Sequence, residues 1–360
     1  MSHTATSSPV VFEAFCLSKP YSGIAQYTFN LLTSLASLGI DVVAVLQESD
    51  HDIHHTRRLI TAGVKIVRAP RVKRQVYLVM DRLLFPTPFE TLSGAASSII
   101  FPNNRSFPTR SPSLTTIHDL SPLTHPDLVD PSWGPRAASR MVHAAKESTQ
   151  LLTVSNTVAL EIQEVLDVDP SRIHVVPNAS SGLPKPDITV AGVPGAILAV
   201  GTMTKNKNYP RLAAAHKMLE PKIRKAHPLV IAGRGGFDSP AIEKAASGDP
   251  YIHLVGGVSD LVLSSLFRDA SIFAQVSLYE GFAIPLLDAE RFLLPVVCAN
   301  IPVLREVSGS YASEFVDPFD ASAIAHALFK LIESPPALST PNTERYSWLL
   351  SAKALKKLLV

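Results

Sequence analysis

Two carboxylates eight residues apart, Glu280 and Asp288, are the side chains best placed to do chemistry. Glu280 follows an apolar run that ends at Val276, and Asp288 falls in a predicted helix with Pro285 in its first turn. An apolar segment at 295–299 completes a strand, loop, helix, strand pattern that is typical of an open parallel sheet. Because such sheets bind ligands at the carboxyl ends of their strands, we expect both acids to face one crevice. Ionised carboxylates accept several hydrogen bonds from hydroxyl groups, which suits a polyhydroxy ligand.

A lysine with phosphate-binding potential lies earlier in the same half of the chain. Lys207 comes just before a predicted helix at 209–219, for which Asn208 is the expected N-cap and Pro210 suits the first turn. A point charge beside outward-facing amides and a helix dipole favours an anion. The pattern therefore predicts a phosphate or diphosphate site.

The first half of the chain offers a histidine and a glycine at comparable positions. His118 follows a predicted strand at 114–117, where a side chain can hydrogen-bond in a crevice, and Asp119 could orient its ring. Gly23 precedes a predicted helix at 25–38, where the backbone can approach a ligand closely. A glycine needed only for a tight turn explains that position equally well.

Several stretches together resemble glycosyltransferase family 4, which has the GT-B fold. They are SLYEGFAIPLLDAERFLLPVV at 277–297, GTMTKNKNYPRL at 201–212, IHDLSPL at 117–123 and SGIAQYTFNLL at 22–32. The resemblance is strong from about residue 194 onward and patchier before it. It implies transfer of a sugar from a nucleotide-sugar to an acceptor, with retention at the anomeric carbon and no required metal.

The resemblance also assigns roles to residues. It implies that Glu280 contacts the donor sugar, that Lys207 neutralises the diphosphate and that His118 lies near the reacting carbon, and these three are the predicted catalytic residues. The implied donor-binding residues are Gly23, Thr202, Lys207, Gly233, Val258, Glu280, Gly281, Phe282, Ala283 and Asp288. The implied acceptor-side residues are Tyr21, Ser22, Asn103 and Asp119.

Two positions depart from the family pattern. Asp288, the implied ribose contact, is one methylene shorter than the glutamate of the family. Thr202 stands where many members have arginine, and Lys205 is a candidate to supply the missing charge.

With 360 residues the chain is long for a single core, and we predict an α/β protein of two doubly wound Rossmann-like domains facing across a cleft. The predicted parts are an acceptor-side domain at 1–180, a linker at 181–194, a nucleotide-sugar-binding domain at 195–340 and a helix at 341–360 that packs back on the first domain.

Composition narrows the class of protein. A hydrophobic fraction of 46% indicates a globular chain, and a net charge of +2 gives no field for bulk nucleic-acid binding. The two cysteines, Cys16 and Cys298, predict no structural disulfide and a reducing cytoplasm. No apolar run approaches the length of a membrane span, and the polar N-terminus lacks the regions of a signal peptide.

Basic residues are concentrated at 57–82. This segment is either a solvated face or a patch that meets anionic lipid or a lipid-linked acceptor on the inner face of the cytoplasmic membrane.

From the family resemblance we predict a retaining hexosyltransferase that needs no cofactor and uses a GDP- or UDP-hexose, with mannose favoured. The predicted acceptor is a glycan or lipid-linked glycan in polysaccharide or lipopolysaccharide synthesis.

Other functions remain open at this stage. Asp50 and Asp52, with His51 between them, could hold a divalent cation as in metal-dependent GT-A enzymes, although a solvated loop is favoured. The glycines at 233–236 lack the spacing of the dinucleotide fingerprint, which argues against NAD. A nucleotide-sugar epimerase with the GT-B fold and a non-catalytic nucleotide-sugar-binding or scaffold subunit are the remaining alternatives.

Overall fold

The computed structural model describes residues 8–18, 22–47, 53–69, 88–337 and 345–359, which form two compact units. The described residues of Met1–Leu120, Pro135–Asn178 and Tyr346–Val360 make up unit 1. Those of Ser121–Gly134 and Ala179–Arg345 make up unit 2. The passage after Asn178 lies beside the predicted boundary at 180, but no sequence pattern indicated that 121–134 belongs to unit 2.

The sheet of unit 1 has seven parallel strands in the order β3-β2-β1-β4-β5-β6-β7. The strands are β1 (Val10–Glu13), β2 (Val42–Gln47), β3 (Lys65–Ala69), β4 (Ser98–Phe101), β5 (Ser113–Ile117), β6 (Gln150–Thr153) and β7 (Ile173–Val175). Every residue of β1 and β4 is buried, as expected for central strands covered on both faces. The strand order reverses between these two, which makes their carboxyl ends the expected ligand position of unit 1.

The sheet of unit 2 has six parallel strands in the order β10-β9-β8-β11-β12-β13. The strands are β8 (Ile197–Val200), β9 (Leu229–Ala232), β10 (Ile252–Gly256), β11 (Ile272–Gln275), β12 (Val296–Ala299) and β13 (Glu314–Val316). The order reverses between β8 and β11, so the expected ligand position of unit 2 is at their carboxyl ends.

Helices connect the strands of both sheets. They are α1 (Gly23–Ser37), α2 (Ile53–Thr61), α3 (Glu90–Ser93), α4 (Ser121–Thr124), α5 (Gly134–Glu147), α6 (Asn156–Leu166), α7 (Tyr209–Lys217), α8 (Pro221–Ala226), α9 (Ser239–Ala246), α10 (Asp260–Asp269), α11 (Ile284–Arg291), α12 (Pro302–Ser308), α13 (Ala321–Glu333) and α14 (Trp348–Lys356). The predicted α/β class with two doubly wound parallel sheets is confirmed. No helix in the described ranges is long and apolar enough to cross a bilayer.

The C-terminal helix α14 is part of unit 1, where it packs against α1. The Ser351 hydroxyl donates to the Pro177 carbonyl at 2.6 Å, and the Trp348 ring lies edge-on to Tyr27 with centroids 6.3 Å apart. The Ser347 hydroxyl accepts from the Leu350 amide and caps the helix. The tail of the chain therefore completes the first unit.

One predicted strand is wrong in part. The largely apolar residues 10–17 predict a single strand, but β1 ends at Glu13 and Phe15–Ser18 form a 3-10 turn. The Glu13 carboxylate accepts from the Phe15 amide, and the Ser18 hydroxyl donates to the Phe15 carbonyl. These short-range bonds favour the turn over a longer strand.

Candidate functional site

Two loops meet at the strand reversal of unit 2. The lysine loop (residues 201–208) follows β8, and the glutamate loop (residues 276–283) follows β11. The Leu278 amide donates to the Asn206 carbonyl at 2.8 Å, and the Asn206 side-chain amide donates to the Tyr279 carbonyl at 3.1 Å. These bonds hold the backbones of the two loops together, so their side chains share one site.

Lys207 and Glu280 form an ion pair at the centre of this site. Lys207 Nζ lies 2.6 Å from Glu280 Oε1, and only 15% and 9% of the two side chains are exposed. The Gln275 side-chain amide and the Ser277 hydroxyl donate to the same oxygen at 2.9 and 2.7 Å. Among the described residues every hydrogen bond to Glu280 goes to Oε1, which leaves Oε2 for a further donor.

Asn208 precedes α7, but it does not cap the helix as predicted. Its backbone is left-handed, with φ of 60°, and its side chain makes no capping hydrogen bond. The side-chain amide instead donates to the carbonyls of Val276 and Pro318 at 3.0 and 2.7 Å. Asn208 therefore fixes the end of the lysine loop against the glutamate loop, while Pro210 occupies the first turn as expected.

Two glycines let the loops after β8 and β9 approach each other. A Cβ atom on Gly233 would lie 1.8 Å from the Gly201 carbonyl oxygen, which excludes any side chain there. A Cβ on Gly201 would lie 2.9 Å from Lys207 Cε. Thus Gly233, a predicted donor-binding residue, has a packing reason for being glycine whatever it binds.

The other predicted residues of this half differ in exposure. Thr202 is exposed, Val258 and Gly281 are partly buried, and Phe282 and Ala283 are buried. Ala283 has a left-handed backbone with φ of 76° and ends the glutamate loop just before α11. Phe282 and Ala283 thus contribute backbone rather than exposed side chains to the loop.

Lys205 does not turn toward Lys207. Its Nζ donates to the Asp127 carbonyl oxygen at 2.9 Å and lies 3.8 Å from the Asp127 carboxylate. The idea that it replaces the charge missing at Thr202 therefore has no support in this arrangement. Nearby, the rings of His125 and Tyr279 pack with centroids 4.6 Å apart. The 121–134 segment thus lies against both loops.

Asp288 lies on α11 and is 3% exposed. Both carboxylate oxygens accept hydrogen bonds from Ser180 and Ser181, so the residue does not present a bare carboxylate to a crevice as the sequence suggested. Burial raises the pKa of Asp288, and these hydrogen bonds oppose the rise.

The predicted residues of unit 1 gather at the ends of β4 and β5. His118 Nε2 lies 2.9 Å from the Pro102 carbonyl oxygen, and because a carbonyl only accepts, Nε2 carries the proton. The Tyr27 ring lies edge-on to the imidazole at 4.9 Å. Burial lowers the pKa of His118, although the Pro102 bond and the charge of Asp119 oppose that effect. The hydrogen bond that orients the His118 ring therefore goes to the Pro102 carbonyl and not to Asp119, the partner that the sequence suggested.

The remaining acceptor-side predictions have mostly local partners. The Ser22 hydroxyl accepts from the Ala25 amide at 3.1 Å and caps α1, which begins at Gly23. The Asn103 side chain accepts from the Asn104 amide at 2.8 Å. Tyr21 and the Asp50–Asp52 pattern lie outside the described residues. Within the described ranges, no group of three or more His, Cys, Asp or Glu side chains could hold a metal ion.

Two family models match the chain. The model for Glycosyltransferase Family 4 matches residues 21–179, and the model for Glycosyl transferases group 1 matches residues 188–347. The first match contains strands β2 to β7 of the sheet of unit 1, and the second contains the whole sheet of unit 2. The chain belongs to glycosyltransferase family 4.

The curated relatives of this family 4 glycosyltransferase include two O-antigen enzymes. O-antigen chain mannosyltransferase B of Escherichia coli is 31% identical over 255 residues, which is 65% of this chain and 66% of that protein, just under two thirds of its length. O-antigen chain mannosyltransferase RfbU of Salmonella typhimurium strain LT2 is 24% identical over 91% of this chain and 92% of its own.

The fold of the glycosyltransferase is that of solved GT-B-like structures. Sucrose-phosphate synthase from Thermosynechococcus elongatus aligns with a TM-score of 0.72 at 16% identity, over 98% of each chain. At that identity the likeness concerns the fold alone, and the predicted GT-B-like class is confirmed.

Sequence reasoning missed three parts of the site of this glycosyltransferase. Gln275 lies at the end of an apolar strand and Ser277 opens the stretch at 277–297, but the sequence patterns assigned neither residue the role of holding Glu280. His125 and Asp127 lie in the stretch THPDL at 124–128, which resembles the family but to which the resemblance assigns no role. Ser180 and Ser181 lie at the predicted boundary between the first domain and the linker, which gave no hint that they bind a residue 108 and 107 positions away.

Proposed function

We propose that this glycosyltransferase transfers mannose from a nucleoside diphosphate mannose to a glycan or lipid-linked glycan acceptor. The observation that carries the proposal is the Lys207–Glu280 pair at the strand reversal of unit 2. The names of the two O-antigen relatives support mannose as the sugar and a surface polysaccharide as the setting.

The pair suits a donor that carries both a diphosphate and a sugar. In the proposed complex, Lys207 turns toward the diphosphate, whose charge then replaces that of Glu280 as its partner. Glu280 keeps the bonds from Gln275 and Ser277 and accepts hydroxyl groups of the sugar. The bond between the anomeric carbon and the phosphate oxygen breaks, and Lys207 stabilises the negative charge that develops on the leaving group.

The acceptor oxygen then bonds to the anomeric carbon, and its proton passes to an oxygen of the departing diphosphate. We propose from the family resemblance that His118 contacts the donor sugar near that carbon. Its Nε2 donates to Pro102, so Nδ1 is the nitrogen that accepts a hydrogen bond in the neutral ring. Retention at the anomeric carbon, independence of metal and a donor built on GDP or UDP are further parts of the proposal.

A thermal-shift screen with GDP, UDP and ADP tests donor binding. We expect one nucleotide to raise the melting temperature, because a ligand that binds only the folded state stabilises it by mass action. Turnover of the matching mannose donor with EDTA present, followed by NMR of the product anomer, tests metal independence and retention. Stabilisation by no nucleotide at millimolar concentration would favour the scaffold alternative.

We also propose that the basic segment 57–82 contacts the inner face of the cytoplasmic membrane. In its described part Arg57 and Arg58 on α2 are exposed, and so are Lys65 and Arg68 on β3. The Arg58 guanidinium lies over the Phe29 ring, and Lys65 pairs with Asp41. Clustered basic residues gain favourable energy at anionic lipid surfaces.

Sedimentation with lipid vesicles tests this contact. We expect binding to vesicles that contain phosphatidylglycerol and loss of binding in 0.5 M salt, because screening weakens surface electrostatics. Arg57→Gln/Arg58→Gln should weaken it, whereas Arg136→Gln/Arg140→Gln, exposed on α5, is the matched control. Equal binding to neutral vesicles would contradict the proposal.

A further inference from the structure

Apart from the earlier passage through 121–134, the chain passes from unit 1 to unit 2 after Asn178 and returns to unit 1 after Arg345. We call these the first and second crossings. The described residues of unit 2 that border the two crossings are bonded to the same helix, α11. That helix begins directly after the glutamate loop that carries Glu280.

Asp288 fastens the first crossing. Its Oδ1 accepts from the Ser180 hydroxyl at 2.7 Å and from the Ser181 amide at 2.9 Å, and its Oδ2 accepts from the Ser181 hydroxyl at 2.7 Å. One turn along, Arg291 donates to the Leu183 carbonyl at 2.8 Å. Three strong acceptor bonds on a buried carboxylate fix the crossing segment to α11.

Glu290 fastens the second crossing. Its Oε2 lies 2.5 Å from Arg345 Nη2, and the carboxylate is 3% exposed. The same guanidinium nitrogen donates to the Val307 carbonyl on α12 at 2.9 Å. A buried ion pair of this kind favours one local arrangement of Arg345 and Glu290, because separating the two side chains leaves a buried charge without a partner.

We propose that Asp288 is a positioning residue that fastens the first crossing to α11 and that it does not bind the ribose of the donor. A ribose would have to displace two hydroxyl donors and one amide donor that already satisfy a buried carboxylate. The shorter aspartate side chain fits this local role, because its oxygens lie close to the serines. Through α11, the fastening holds Glu280 in place.

The first test is a double-mutant cycle on stability. Asp288→Ala and Ser180→Ala/Ser181→Ala should each lower the urea midpoint, and the variant that combines them should be no less stable than Asp288→Ala alone, because all three changes remove the same bonds. Simple addition of the two losses would overturn the fastening role. Asp288→Asn should restore most of the midpoint, since Oδ1 still accepts and Nδ2 can donate to the Ser181 hydroxyl.

The second test separates fastening from ribose binding, and this part rests on the proposed function. The dissociation constants of the preferred nucleoside diphosphate and of its 2′,3′-dideoxy form are measured for each variant. We expect their ratio in Asp288→Ala to stay within about twofold of the wild-type ratio, whereas loss of a charge-assisted hydrogen bond would change it by tenfold or more. A ratio that collapses in Asp288→Ala but not in the serine variant would overturn the proposal.

The third readout is a split between binding and turnover. With Glu280 displaced, kcat in Asp288→Ala should fall about tenfold while nucleotide affinity changes little. Ser264→Ala is the matched control, because its buried hydroxyl holds Pro184 of the same segment to α10 instead of α11, at 2.6 Å. If kcat fell equally in Ser264→Ala, Asp288 would contribute only to the general stability of the fold and would not position Glu280. If the wild type bound no nucleotide, the proposed function would fail while the stability cycle still tested the fastening.

Discussion

Replacing Lys207 with methionine should destabilise unit 2 and abolish stabilisation by nucleotide. The substitution keeps much of the side-chain volume but leaves the Glu280 carboxylate, 9% exposed, without its cation. Removing one member of a buried pair costs roughly 3–5 kcal/mol, and the bonds from Gln275 and Ser277 place this variant near the lower end, about 3 kcal/mol. Urea denaturation with and without the preferred nucleoside diphosphate measures both effects.

Lys205→Met is the matched control for this substitution. Lys205 lies in the same loop, but 48% of its side chain is exposed and its partner is the exposed Asp127. Surface pairs of this kind contribute about 0–1 kcal/mol, so the control should unfold close to the wild type. The double variant Lys207→Met/Glu280→Gln should recover stability, because it removes the uncompensated charge. Equal losses in Lys205→Met and Lys207→Met would contradict the central role of the pair.

Replacing Glu280 with glutamine should lower the rate of sugar transfer by about 10²–10³-fold, the range seen when one electrostatic contact in an active site is removed. Glutamine keeps an oxygen that can accept from Ser277 but loses the charge that orients the sugar hydroxyls and balances Lys207. Affinity for the nucleoside diphosphate should be retained or increased, because Lys207 no longer has a carboxylate partner. Initial rates with the mannose donor and calorimetry with the free nucleotide separate these effects.

Glu243→Gln provides the comparison for charge removal, since this glutamate is exposed on α9 of the same unit. It should leave both transfer and nucleotide affinity unchanged. If Glu280→Gln lost nucleotide affinity and transfer in equal measure, Glu280 would act mainly in folding the loop rather than on the sugar.

The fold was largely accessible from the sequence, because central parallel strands are buried on both faces and stand out as short apolar runs. The sequence patterns did not predict two edge strands, β3 and β13, and in β3 Lys65 and Arg68 are exposed. Because of the charges of Lys65 and Arg68, residues 65–69 were assigned to the basic segment at 57–82 and not to a strand. The extent of β1 was overestimated for the opposite reason, since Phe15 and Leu17 are apolar but are buried by a 3-10 turn.

The sequence was enough to identify the main residues of the site, but not to predict which of them contact each other. Lys207 and Glu280 were both identified, yet their direct contact depends on the order of strands β8 and β11, which local patterns do not encode. The same limit applies to Asp288, whose serine partners lie across the chain from it. Asn208 was misassigned as a side-chain cap because its long-range acceptors, Val276 and Pro318, outcompete the helix end.

The place of α14 in unit 1 has a consequence for synthesis of the chain. Unit 1 is built from three separate segments, and the last begins at Tyr346, after every residue of unit 2. On the ribosome the unit that is started first is therefore finished second, which reverses the usual order in which N-terminal domains fold. Until residues 346–359 emerge, the face of α1 around Tyr27 lacks its cover. Nascent chains stalled before residue 346 should accordingly present a folded second unit beside an incomplete first one.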